Sequence, residues 1–288
     1  MKLGVITDGI SRDLGEAIGV MNDYGLDFAE LQYIDNKEVG DLSKSEMQRT
    51  KQLLEAHDKQ VSCISRHLFA GMIVGNTKPG SPLHRMHMEA LKRCIGMAQD
   101  LKSPLVRIMT GKKEAILWGS HGAEKWNVAH GAWDAQLELI APAIELARTE
   151  DMQLVVETGN GTMVNSSYTA RRLIDDLDAR DILRVLWDPA NNCWAHEEAY
   201  PAGYSELRDG YLGHIHIKDV KVDTPRAHLE VKVMGEGQLA QHFHPIAQAL
   251  RADGYDGVIS LESVYRPKGG TFKDGFKECI HTFKGIFE

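Results

Sequence analysis

Residues 154–188 open on Leu154-Val155-Val156-Glu157 and close on Leu183-Arg184-Val185-Leu186-Trp187-Asp188. Two short apolar runs, each ending in a carboxylate, enclose a stretch long enough for a crossover helix. Runs that are continuous rather than alternating mark parallel strands buried on both faces. The same unit recurs outward from this pair. Upstream, the candidate strands are Leu3–Thr7, Phe28–Ile34, Val61–Ser65 and Leu105–Thr110; downstream they are Leu212–Ile217 and Val258–Glu262. Helical stripes at steps of three and four fill the intervals. Examples are Met88, Leu91, Ile95 and Ala98, then Trp133, Leu137, Ile140, Ile144 and Ala147, then Phe243, Ile246, Ala247 and Leu250. Ser43-Lys44-Ser45-Glu46 supplies an N-cap for a more polar helix before strand three.

Eight strand candidates, each followed by a helical candidate, predict one (β/α)8 TIM barrel over residues 1–288 rather than a doubly wound sheet. No Ser/Gly tract, charge block or low-complexity segment offers a linker, so two domains are not expected. The sixth unit is the weakest. Its helical segment, Ala195–Tyr211, contains Pro201 and Gly203 and has room only for a short helix.

Composition narrows the function. Of 288 residues, 43% are hydrophobic and 26% charged, which fits a packed core with a wetted surface. A formal net charge of -8 argues against a nucleic-acid or anionic-membrane binder. No apolar run approaches the ~20 residues that span a bilayer. Cys63, Cys94, Cys193 and Cys279 lie far apart with no CxxC pair, so neither a thiolate zinc site nor a disulfide framework is expected. These features predict a cytoplasmic protein that binds neither membrane nor nucleic acid.

In such a barrel, function sits at the C-terminal ends of the strands. The last four strands place Glu157, Asp188, the pair His214 and His216, and Glu262 at that one end. Ionisable groups directly after buried apolar runs are costly unless paired or metal-bound. Three carboxylates and one imidazole suit a single divalent ion such as Mn2+, Mg2+ or Co2+, with Zn2+ also compatible.

Glu157, Asp188, His216 and Glu262, with the runs Leu186-Trp187-Asp188-Pro189-Ala190-Asn191 and His214-Ile215-His216-Ile217-Lys218-Asp219, resemble the xylose-isomerase-like TIM-barrel superfamily. Ala29-Glu30-Leu31, Val106-Arg107-Ile108 and Met234-Gly235-Glu236-Gly237 extend the resemblance along nearly the whole chain. That group includes sugar-phosphate isomerases and epimerases, ketose 3-epimerases, inosose dehydratases and, more distantly, endonuclease IV. The resemblance implies that Glu157, Asp188, His216 and Glu262 hold the ion. His216 is chosen because the family ligand stands two residues before the position of Lys218. It further implies that Glu157 and Glu262 are catalytic, exchanging a proton with a small carbohydrate substrate through a cis-enediolate. The implied activity is a metal-dependent isomerase or epimerase of a small sugar, ketose or keto-sugar acid. The alternative is a lyase, a dehydratase or decarboxylase using the same ion, with a multi-metal hydrolase behind it. Homo-oligomers are common among such barrels.

Two positions depart from the family. Glu157 is followed by Thr158-Gly159-Asn160 where many members have Glu-Asn-His or Glu-Thr-His, and Asn191 stands where many epimerases carry a substrate-binding histidine. Asn160 and Asn191 can donate hydrogen bonds to hydroxyls but cannot transfer protons at neutral pH. Other candidate substrate contacts are His67, which follows strand three, and Lys218 and Arg226 in a basic seventh loop with Lys221 and Lys232. That loop reads either as an anion site or as a solvated surface. Trp118, His121 and Trp126 offer a sugar-stacking wall, a lid or a subunit contact.

Overall fold

The structure, a computed structural model, describes residues 1–112 and 129–288; Trp118, His121 and Trp126 lie outside the described residues. Its strands are β1 (Lys2–Ile6), β2 (Phe28–Leu31), β3 (Gln60–Ile64), β4 (Val106–Ile108), β5 (Leu154–Glu157), β6 (Leu183–Trp187), β7 (Leu212–Ile217) and β8 (Val258–Leu261). Each pairs in parallel with its sequence neighbours, and β8 closes on β1 from Lys2 opposite Val258 to Val5 opposite Leu261. The result is the closed (β/α)8 barrel expected from eight apolar runs.

Helices cover the outside. Helix Lys44–Ala56 starts at the expected cap: Ser43 Oγ accepts the Glu46 N–H, and the Glu46 carboxylate accepts the Ser43 N–H at 2.7 Å. Leu91, Ile95 and Ala98 of helix Pro82–Leu101 are buried against the sheet, as are Phe243, Ile246, Ala247 and Leu250 of helix Ala240–Ala252. The sixth unit contains only short pieces, Pro189–Trp194, Ala199–Gly203 and Tyr204–Leu207.

The chain departs from the expected strands in two places. Residues 28–34 are not one strand: β2 stops at Leu31, and Tyr33–Ile34 pairs antiparallel with Lys37–Glu38. Asp35 and Asn36 adopt φ of 49° and 63° between them, the left-handed pair that a two-residue hairpin requires. The basic seventh loop is also a hairpin, Asp219–Asp223 against His228–Lys232. Its alternating Val220, Val222, Leu229 and Val231 carry the period of two, and Val220 is buried.

Most apolar side chains pack between strands and helices. Inside the barrel, Cys63, Val155 and Leu186, with Leu105 against them, form a small separate plug. Side chains two residues apart on a strand share a face. The next inward positions above that plug are therefore Ser65, Arg107, Glu157 and Asp188. The same alternation that fills the barrel floor with apolar groups lifts charge into its mouth. Among the described residues, no helix is long and apolar enough to cross a membrane.

Candidate metal centre

Glu157 ends β5, Asp188 follows β6, His216 lies on β7 and Glu262 follows β8. One ligand atom from each lies within 4.8 Å of the others. Asp188 doubles as the N-cap of helix Pro189–Trp194, its Oδ1 accepting the N–H groups of Ala190 and Asn191 at 3.0 and 3.2 Å. Pro189 at the first helical position fixes that turn. Capping occupies Oδ1 and leaves Oδ2 to face the cluster, where the Lys218 ammonium donates to it at 2.5 Å. Lys218 also donates to Glu262 Oε2, and its ammonium lies 5.4 Å from the centre of the Trp194 ring.

Arg107 on β4 holds Glu157, with Nη1 donating to Oε2 at 2.8 Å; both side chains are almost wholly buried. Burial opposes ionisation of Glu157. The guanidinium of Arg107, with His216 and Lys218, overcomes it and lowers the carboxyl to about 2. Asp188 goes the other way. Burial raises it to about 6, aided by the Glu262 and Glu157 carboxylates and opposed by Lys218. For His216, burial disfavours the charge, but Glu30 and Glu157 more than offset it and raise the ring to about 10. The cluster therefore calls for positive charge at His216.

The residues fit a divalent ion on two grounds. The first is charge. Among the described residues, Glu30, Glu157, Asp188 and Glu262 face two permanent cations, Arg107 and Lys218, and one divalent ion matches the deficit. The second is an orphaned atom. His216 Nδ1 is buried without a hydrogen-bond partner, yet it faces Glu157 Oε1 at 3.5 Å and Glu262 Oε2 at 3.9 Å. A buried imidazole nitrogen without a hydrogen-bond partner, beside carboxylate oxygens that favour positive charge there, is a ligand set for a borderline cation that would take the place of the ring's second proton.

The other candidate residues are distributed unevenly. Asn191 reaches the cluster, its amide donating to Thr158 O at 2.9 Å and to Glu157 Oε1 at 3.4 Å. Asn160 is exposed in the loop after β5. His67 is 43% exposed and pairs with Glu38 at 3.2 Å. Arg226, 80% exposed, sits at the outer turn of the seventh hairpin and pairs with Asp223. The structure brings neither His67 nor Arg226 to the cluster. His214 lies deeper in the barrel than His216 and donates from Nε2 to Glu30 Oε2 at 2.7 Å. Glu30 and Arg107 stood in the sequence as motif matches with no role attached. The sequence signal for them is a charged residue inside a short apolar strand, Phe-Ala-Glu-Leu and Val-Arg-Ile; the fold decides that each points inward.

Beside Glu262 the mouth has a depression of about 100 Å3 lined by Asp8, Gln32, Ser263 and Phe272, among others. A larger cavity, about 690 Å3, opens at the opposite, N-terminal end, among Lys2, Phe28, Lys59, Leu105 and Val258. It contains no part of the carboxylate cluster. Barrel enzymes work at the C-terminal end, so the smaller depression is the one placed for chemistry.

A sequentially wound parallel barrel with a carboxylate–imidazole cluster at its C-terminal mouth defines a class of TIM barrels with a candidate metal site there. The chain belongs to the xylose isomerase-like TIM barrel family, whose model matches residues 18–281. Solved structures share the fold at low identity. One is an IOLI protein with a bound zinc atom (TM-score 0.74, 15% identity, covering 100% of this chain and 98% of that one). Another is an L-ribulose 3-epimerase (0.71, 19%, 99% and 94%). A third is a probable 3-DHS dehydratase, AsbF, from Bacillus anthracis (0.69, 16%, 96% and 98%). No curated protein sequence is similar enough to match the chain.

Proposed function

We propose that this chain is a divalent-metal-dependent epimerase or isomerase of a small sugar, ketose or keto-sugar acid. One observation carries the reading: Glu157 and Glu262 converge with Asp188 and His216 in one buried cluster at the working end of the barrel. Glu157, Asp188, His216 and Glu262 would hold the ion, which supplies positive charge that acidifies the C–H beside a substrate carbonyl. The family's sugar epimerases, including the L-ribulose 3-epimerase, support the substrate class.

The chain's own residues then handle the proton. Arg107 occupies Glu157 Oε2 and keeps the carboxylate ionised, as a base must be. Asn191 steadies the other oxygen, Oε1. On Glu262, Lys218 engages Oε2. One ionised glutamate takes the proton from the substrate carbon, leaving an enediolate; the other, having first taken up a proton from solvent, delivers it to the opposite face, and the first then releases its own proton to solvent. Configuration inverts and the net protonation of the pair is unchanged. Neither step needs an imidazole at position 160 or 191.

Lys218 favours a second reading, a lyase of the dehydratase or decarboxylase type. Its ammonium, beside Glu262 and Asp188, can stabilise negative charge on a departing oxygen, or on the enolate left behind when CO2 departs.

The test is exchange in D2O, with Mn2+-loaded protein and a panel of ketoses and keto-sugar acids. Epimerisation or isomerisation incorporates deuterium with the carbon skeleton intact; a lyase releases water or CO2. Glu157→Gln and Glu262→Gln should each slow exchange at least about 100-fold while the circular dichroism spectrum is retained. Wild-type protein that exchanges nothing across the panel, or two variants as active as wild type, would remove the proposal.

A further inference from the structure

Glu30 sits at the middle of the barrel with no surface exposed, on β2, and its two oxygens reach two imidazoles of β7. His214 Nε2 donates to Oε2 at 2.7 Å and His216 Nε2 donates to Oε1 at 2.8 Å. These partners are 184 and 186 residues away in sequence, and β2 and β7 are not neighbours in the sheet. The bonds therefore cross the barrel interior. Ser65 Oγ also donates to Oε1, and Ser260 Oγ lies 3.3 Å from His214 Nε2.

We infer that Glu30 is a positioning residue for the metal centre, fixing the ring of His216 so that Nδ1 is the coordinating atom. The inference rests on the metal-site reading above. An ionised carboxylate accepts hydrogen bonds and cannot donate them, so each imidazole must present Nε2–H to Glu30. That leaves Nδ1 of His216 as the nitrogen free to ligate, and it is the atom that faces Glu157 and Glu262 without a hydrogen bond. Histidine ligands commonly donate their second N–H to a carboxylate, which orients the ring and raises its basicity. Here a single carboxylate is braced by a second imidazole and a hydroxyl, so rotation of Glu30 would break three hydrogen bonds together.

Glu30, His214 and His216 also converge closely enough to suggest an ion of their own. Hydrogen bonding explains that convergence better. Each carboxylate oxygen already has one Nε2 at hydrogen-bond distance, and the unpartnered atom of His214 is Nδ1, not Nε2.

The experiment is Mn2+ titration of chelator-treated full-length protein by calorimetry, together with proton NMR of the Co2+-loaded form. Wild type should bind one Mn2+ per chain and show an exchangeable, hyperfine-shifted signal from the His216 ring N–H. Glu30→Gln should weaken Mn2+ binding about 10–100-fold and displace that signal. Should Glu30→Gln fail to fold, Ser65→Ala removes one donor while leaving the carboxylate; it should shift the same signal and weaken Mn2+ several-fold. Glu157→Gln serves as the control on the site itself. If Glu157→Gln loses Mn2+ while Glu30→Gln and Ser65→Ala match wild type in affinity and signal, the role of Glu30 is refuted and the metal site stands. If Glu157→Gln binds Mn2+ as wild type does, the site assignment fails and takes this inference with it. Two Mn2+ per chain, one of them lost in His214→Gln, would make Glu30 a ligand instead.

Discussion

Lys218 follows the strand that carries His216 and is 94% buried as a side chain between Asp188 and Glu262. Removing one member of a buried ion pair leaves the other charges uncompensated. Lys218→Met should accordingly destabilise the metal-free protein by about 3–5 kcal/mol, read from urea unfolding midpoints. Saturating Mn2+ should reduce that deficit, because the excess negative charge then has another counterion. A midpoint equal to wild type without metal would show that these contacts do not stabilise the fold. Residues of this kind were legible one by one. Glu157, Asp188 and Glu262 stand out because each directly follows an apolar strand. Glu30 and Arg107 were harder to read, since a charged residue inside a three- or four-residue strand gives no sign of which face it takes. His67 and Arg226 were plausible by position alone, and the folded chain pairs them with Glu38 and Asp223 instead.

Elements are held to the site by small polar clasps in the loops. Glu38, on the hairpin after β2, accepts the N–H of His67 at 3.0 Å and pairs with Arg66. Burial opposes its ionisation, but the His67 side chain and N–H, with the Arg66 guanidinium, lower it to about 2 from 4.5. A depressed carboxyl stabilises the fold above its unfolded value, and that stability disappears as pH falls through the folded value. Wild type should therefore lose stability between about pH 4.5 and 2 more steeply than Glu38→Gln, measured by chemical unfolding at each pH. Parallel profiles would show that the clasp does not couple to folding. After β7, Asp219 accepts N–H groups from Gly235, Gly237 and Leu239 at 3.0, 2.8 and 3.1 Å, tying the Met234-Gly-Glu-Gly turn to the hairpin. A Cβ on Gly237 would lie 2.1 Å from Asp219 Oδ1. Gly237→Ala should cost about 1–3 kcal/mol. Gly285→Ala, on the exposed face of the last helix with open space around it, should be neutral or stabilising by up to about 1 kcal/mol. Thermal unfolding of the two variants checks the contrast; equal melting temperatures would contradict it.

Across the whole molecule, the barrel concentrates unlike requirements at its two ends. Its interior floor is apolar, and above it, among the described residues, Glu30, Glu157, Asp188 and Glu262 pack around two permanent cations, Arg107 and Lys218. A divalent ion that binds only the folded chain stabilises it by mass action. At about a hundredfold excess over its dissociation constant, the gain is about 2.7 kcal/mol, a rise of several degrees in Tm for a domain of this size. Scanning calorimetry with Mn2+ and with EDTA measures it, and identical melting curves would argue against a resident ion. Mn2+ should also stabilise Glu157→Gln less than wild type.

The sequence by itself determined the eight-fold β-α alternation, because strand and helix periods are local properties of side-chain burial. It marked three of the cluster's residues too, Glu157, Asp188 and Glu262, since an ionisable group at the end of a buried strand is conspicuous wherever the strand lies; the choice of His216 over His214 came from the family resemblance. Tertiary structure decided what those groups touch. The bridge from Glu30 to His214 and His216 crosses the barrel between strands that never pair, and no local pattern encodes a contact across closed curvature. The two hairpins lie between these cases. Their left-handed turn and alternating valines are written in the chain, but each short run becomes a hairpin only where the barrel rim gives it one face to bury.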